Sequence, residues 1–235
     1  MKVLLSCIVL MGVLFSGIAH ASGLQVSPIR LEIPHNEQSR QLWLSNISDQ
    51  SIQVQVRVYE WTQVNGEEQL LPTNTLLATP AVTEILPGQR QLVRVVAPQP
   101  NNGAAEKTYR LMVEELPNPD QDTNTSSALN LLLSYSLPVF LQSDNQAPFD
   151  VSKVSATKSG NGVLLKNDNA LRMMISDVRT DNGTVLQAGL VGYVLSNQSK
   201  SFEFDLSAVN ALRMTINQSF DVRVDLTTGH VSQVE

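Results

Sequence analysis

Side chains able to do chemistry are scarce in this chain. Its 235 residues hold three histidines, His20, His35 and His230, and one cysteine, Cys7. His20 and Cys7 fall in an N-terminal segment that reads as a removable leader, which leaves two histidines far apart in sequence. Two remote imidazoles and no thiol cannot make the usual zinc or copper sites. A serine triad needs a histidine beside a buried acid, whereas His35 follows a proline in a turn-like stretch and His230 lies in the C-terminal tail. No G-x-S-x-G, no glycine-rich phosphate loop and no paired-histidine motif occurs. Aspartate and glutamate are plentiful but scattered, as solvated strand faces require, and no catalytic pair stands out. The expectation is a protein that is not an enzyme and has no catalytic residue, metal or cofactor.

What the chain offers instead is an apolar row. In Ala128 to Phe140, ALNLLLSYSLPVF, strand alternation puts Leu129, Leu131, Leu133, Tyr135, Leu137 and Val139 on one face. The other face carries Asn130, Leu132, Ser134, Ser136, Pro138 and Phe140, so it too has apolar positions. One reading is a central core strand of an all-β domain. The other is a strand whose leucines are lent to another protein by β-strand addition, where main-chain hydrogen bonds give affinity and alternate side chains fill pockets. The two are compatible if the strand lies at a sheet edge.

The elements that must position this row are strands throughout. Leu24 to Ile33, Arg40 to Asn46, Ile52 to Trp61, Pro80 to Ile85, Gln91 to Val96 and Thr108 to Leu116 precede it, with Val64-Asn65-Gly66 as a hairpin signal. About seven strands at this spacing predict an immunoglobulin-like sandwich. Asn118 to Ser127 has no apolar residue and is expected to be a mobile loop. Ser143 to Pro148 is the best interdomain linker, and beyond it further strand-like runs predict a second, smaller β-sandwich. These runs are Gly162 to Asn167, Met173 to Val178, Gly189 to Val194, Ser201 to Leu206 and Phe220 to Leu226, with a turn at Asp181-Asn182-Gly183. The fold class is all-β, with domains expected at 22–143 and 144–235.

Residues 1–21 combine Lys2, an apolar run from Val3 to Ile18 and the small-x-small site Ala19-His20-Ala21. They read as a secretory signal peptide cleaved after Ala21. The run is shorter than the roughly 20 residues a membrane span needs. Loss of Lys2 leaves 15 basic residues (16 minus 1) against 22 acidic ones, a net charge of -7. Such a chain is a poor partner for nucleic acid or an anionic membrane, and protein partners are expected.

Four segments together resemble the PapD-like periplasmic chaperones that assemble pili through the chaperone-usher pathway. They are Val26-Ser27-Pro28-Ile29-Arg30-Leu31-Glu32-Ile33-Pro34 with Leu42 to Asn46, Ala78 to Val82 with Leu86 to Val95, Tyr109 to Pro117, and the leucine strand. The resemblance implies a boomerang of two immunoglobulin-like domains in the periplasm. Its last strand of domain one would complete a pilin subunit that lacks its own final strand, and the complex would pass to an outer-membrane usher. The donated residues match Leu129, Leu131 and Leu133, with Tyr135 next in phase. Burying three leucines is worth roughly 5 to 9 kcal/mol at about 1.5 to 3 each.

Arg30 matches the family arginine that grips the pilin C-terminal carboxylate. The lysine that usually helps it falls at Pro138, which carries no charge and no N–H. Arg110 is the expected replacement, because its strand should pair antiparallel with the leucine strand and its neighbours Tyr109 and Leu111 take the opposite face; Arg94 is held in reserve. The family's charged cluster at the domain junction looks thinned, with Glu106 as its acid and amides at Gln142 and Gln218. These departures resemble the divergent branch often called archaic. The alternative reading is a secreted structural or adhesive β-sandwich protein whose leucine strand is ordinary core. A free chaperone with open leucines is expected to self-associate or to bind apolar dyes.

Overall fold

The structure is a computed structural model that describes residues 23–117, 131–206 and 209–234. Within these residues the chain is strand after strand. The first ten are β1 (Leu24–Ser27), β2 (Leu31–Ile33), β3 (Ser39–Asn46), β4 (Ile52–Val64), β5 (Glu67–Pro72), β6 (Leu77–Thr79), β7 (Val82–Ile85), β8 (Arg90–Val96), β9 (Lys107–Leu116) and β10 (Ser134–Leu141). They form two sheets, β1-β3-β8-β6 and β2-β10-β9-β4-β5, with β7 also on β4. Alternation explains the packing: Leu42 and Leu44 of β3, Val54 and Val56 of β4, Val93 and Val95 of β8 and Leu111 and Val113 of β9 all point into one core between the sheets.

The second sandwich is built from β11 (Val154–Ser159), β12 (Gly162–Asn167), β13 (Met173–Thr180), β14 (Val185–Val194), β15 (Gln198–Glu203), β16 (Ala211–Ile216), β17 (Phe220–Asp225) and β18 (Val231–Gln233). Its sheets are β11-β12-β15 and β14-β13-β16-β17-β18. Met173, Ile175, Leu212, Met214, Val222 and Val224 fill a separate core.

The expected first strand, Leu24 to Ile33, is two strands in different sheets. β1 pairs antiparallel with β3 in one sheet, and after a bend at residues 28–30 β2 pairs in parallel with β10 in the other. Proline at 28 supplies no N–H and favours such a break. This switch decides the fate of the leucine strand. β10 is paired along one edge with β9 from Ser134 to Leu141, but along the other edge β2 covers only Val139, Phe140 and Leu141.

The Asn65-Gly66 hairpin is present, with both residues at positive φ (55° and 85°) as a two-residue turn between Val64 and Glu67 requires. Its tip reaches the second sandwich, where Ser201 donates its N–H to the Gly66 carbonyl at 3.0 Å.

Candidate functional site

The predicted leucine row leaves the core step by step. Val139 and Leu137 are buried, Tyr135 and Leu133 are half-buried against the same core, and Leu131 is 63% exposed. Leu129 lies outside the described residues. Leu137 and Val139 are thus core strand, and among the described residues no strand covers the β10 edge before Val139. Among the described residues the regular ladder begins at Ser134; before it, the Glu115 N–H donates to the Leu133 carbonyl at 2.9 Å and the Leu133 N–H donates to the Glu115 carboxylate at 3.3 Å. The Tyr135 hydroxyl donates to the Leu24 carbonyl at 2.7 Å, spanning the mouth between the two sheets.

Arg30 stands where this open edge ends. It directly precedes Leu31, the residue that takes up the β10 edge opposite Val139. A strand added in parallel along β10 would therefore run into the start of β2 with its carboxyl end at Arg30. The Arg30 side chain lines a cavity of about 240 Å³ together with Gln142, Leu171, Arg172, Met174, Asn217 and Gln218. Its Nε lies 3.3 Å from Glu32 Oε1.

Arg110 approaches β10 from the other side. It pairs in register with Pro138, and Tyr109 and Leu111 point into the core, so Arg110 faces outward as expected. Its guanidinium stacks 3.7 Å above the Trp61 ring and lies 3.9 Å from Glu68. Burial lowers its pKa, opposed by Glu68. Arg110 and Arg30 flank β10 but do not share the cavity, which Arg30 lines with Arg172. Arg94 is elsewhere: it is exposed on β8 in the opposite sheet, paired with Gln41 and Thr79.

The junction itself is a packed unit. Trp61, Phe140, Met174, Tyr193 and Leu195 form a buried cluster between the sandwiches. Trp61 meets Tyr193 edge-on at 5.8 Å between ring centroids, and Phe140 lies 5.6 Å from Tyr193. The Gln63 amide donates to the Tyr193 carbonyl at 2.8 Å and accepts the Leu195 N–H at 2.9 Å.

The charged cluster at the junction is not thinned but rebuilt, which corrects the expectation. Arg172, which the sequence did not single out, bridges Glu106 through Nη1 and Glu32 through Nη2 at 2.5 Å. Its guanidinium also lies 3.7 Å above the Phe140 ring. Glu106 is buried, and burial raises its pKa to about 7 against the opposing pull of Arg172. Gln142 and Gln218 sit in the same cavity wall, so the amides are where they were expected and the cation comes from another strand connection. His35 and His230 are exposed and belong to different sandwiches.

Among the described residues the β10 edge before Val139 is unpaired and leads to an arginine-lined cavity between two lobes, an arrangement that can accept an added strand. The family described as pili and flagellar-assembly chaperones, PapD N-terminal domain, matches residues 23–146. The chain belongs to that family. The probable fimbrial chaperone YehC of Escherichia coli (strain K12) is 27% identical over 188 residues, covering 77% of this chain and 76% of that protein. Among solved structures, a chaperone–tip subunit pre-assembly complex, CsuC-CsuE of archaic Csu pili from Acinetobacter baumannii, matches with a TM-score of 0.66. That match is 21% identical and covers 89% of this chain and 97% of the other. The Salmonella enterica SafA pilin in complex with the SafB chaperone matches with a TM-score of 0.64 at 14% identity, over 91% of this chain and 96% of that one. These likenesses share the fold of two immunoglobulin-like domains.

Proposed function

We propose that this chain is a periplasmic chaperone that binds pilin subunits by donor-strand complementation through residues 129–135 and delivers them to an outer-membrane usher. The observation that carries the reading is the β10 edge that, among the described residues, no strand covers before Val139, with exposed Leu131 ahead of it and Arg30 where it ends. A subunit groove would cover Leu129, Leu131, Leu133 and Tyr135, while the subunit's C-terminal carboxylate would meet Arg30. Arg110, opposite Pro138 but outside the cavity that Arg30 lines, remains the reading's second cation on the other side of β10. Arg94 is set aside, because its sheet lies on the far side of the core. A carboxylate held by a charge-assisted arginine contact is worth on the order of 1.5 to 3 kcal/mol and fixes register as well.

The same reading takes residues 1–21 as the export signal, 22–143 as the strand-donating domain and 144–235 as the second domain. The likeness to CsuC and the proline at 138 favour the archaic branch. The test is co-expression with a pilin gene from the same genomic neighbourhood. Wild type should co-purify with the pilin, whereas Leu131→Ala/Leu133→Ala and Arg30→Glu should lose it with the fold intact. Undiminished recovery with both variants overturns the reading.

A further inference from the structure

We infer that Arg172 is a positioning residue for the carboxylate anchor: by holding Glu32, it keeps that carboxylate from closing on Arg30. The inference rests on the reading of Arg30 given above. Glu32 lies between two arginines, with Oε1 2.5 Å from Arg172 Nη2 and 3.3 Å from Arg30 Nε. The shorter, charge-assisted contact goes to Arg172. Arg172 is fixed from several sides, by Glu32, by Glu106, by the Phe140 ring and by its own N–H, which donates to Glu106 at 3.4 Å. Arg30 is freer: its side chain is 41% exposed, and its Nη1 donates weakly to the Met174 sulfur at 3.8 Å. Both guanidiniums line the same cavity.

Glu32 lies closer to Arg172 than to Arg30, so Arg30 faces the cavity with its head group only partly engaged. Without the Arg172 charge, Arg30 is the one remaining cation in contact with Glu32 among the described residues. A glutamate that closes on Arg30 competes with an incoming carboxylate for the same N–H groups. Arg172 belongs to the second sandwich and Arg30 to the first, so the anchor's geometry depends on the contact between the two sandwiches.

The experiment uses the mature chain and a soluble synthetic peptide of alternating valine and threonine with a fluorescent lysine at its amino end. The peptide is made once with a free C-terminal carboxylate and once as the amide, and the readout is the ratio of the two Kd values by anisotropy. Wild type should prefer the carboxylate, and Arg30→Ala should abolish that preference. Arg172→Gln should cut the preference about tenfold while binding the amide as wild type does. Glu32→Gln should tighten carboxylate binding, and Arg172→Gln/Glu32→Gln should restore the preference to at least the wild-type ratio. Arg172→Lys keeps the charge but reaches one carboxylate at a time, so it should fall in between; it carries the test if the glutamine variant does not fold. Equal weakening of both peptides by Arg172→Gln, or no rescue by Glu32→Gln, overturns the inference alone and leaves a structural role. Failure of wild type to tell the peptides apart, or of Arg30→Ala to matter, overturns the anchor reading and the inference with it.

Discussion

Replacing Leu131 by alanine should weaken pilin binding without weakening the fold. Leu131 is 63% exposed, beyond the regular ladder of β10, so its side chain adds little to the free protein. A substitution at such a site stays within about 0.5 kcal/mol of wild-type stability. Covered by a subunit groove, the same side chain would bury the roughly two-thirds of its surface that now meets water. At about 1.5 to 3 kcal/mol for a fully buried leucine, that is about 1 to 2 kcal/mol of binding, or roughly five- to thirtyfold in Kd. Leu133 is half-buried against the core, so its alanine variant should lose some of both. The assay pairs thermal unfolding of each free variant with competition against tagged wild type for a co-expressed pilin. If Leu131→Ala lowers the Tm by several degrees yet competes as well as wild type, the leucine is core and the open-edge argument fails.

Other consequences follow from the junction. Phe140→Ala removes a fully buried ring that both the aromatic cluster and Arg172 pack on, and should cost about 3 to 5 kcal/mol in chemical denaturation. Gly66→Ala should destabilise the interdomain contact, since Gly66 has φ +85° and an added Cβ would come within 2.5 Å of Ser201 Oγ. Gly88→Ala, with φ +68° and open space around it, supplies the control for backbone strain alone. Glu106 should make the fold pH-dependent. Burial raises its pKa from 4.5 to about 7, so its stabilising contribution is fully present below about pH 4.5 and is lost as pH rises through about 7. Glu106→Gln should flatten that slope in pH-resolved melts, and an unchanged slope would assign it to other groups.

Much of the fold was legible because alternation is a local signal. β12 was read at its observed bounds, β3, β8 and β9 within a residue or so, and the Asn-Gly turn by its own chemistry. The split of the first strand was not legible, because which sheet a strand joins depends on partners far along the chain, as β2 finds in β10. β11 and β16 lie outside the strand-like runs that the sequence marks, although their alternating apolar residues pack into the second core. Within the described residues the leucine row keeps its phase but pairs regularly only from Ser134, since periodicity cannot say where a strand loses its neighbour. Arg172 escaped notice for a similar reason. Its partners lie 140 and 66 residues away, at Glu32 and Glu106, and a lone arginine beside a methionine-rich strand carries no pattern. Family resemblance and strand pairing point to Arg30 and Arg110; Arg30 lies in the bend just before β2, and Arg110 lies on β9 opposite Pro138.

The central claim is that the β10 edge before Val139 is unoccupied until a subunit strand pairs with it. Hydrogen–deuterium exchange on residues 131–138, in the free chain and in its complex with a co-expressed pilin, tests this most directly. The account predicts that amides pointing away from β9 exchange quickly in the free chain and become protected by at least about a hundredfold in the complex, consistent with main-chain pairing. Protection already complete in the free chain, or unchanged on binding, would contradict it.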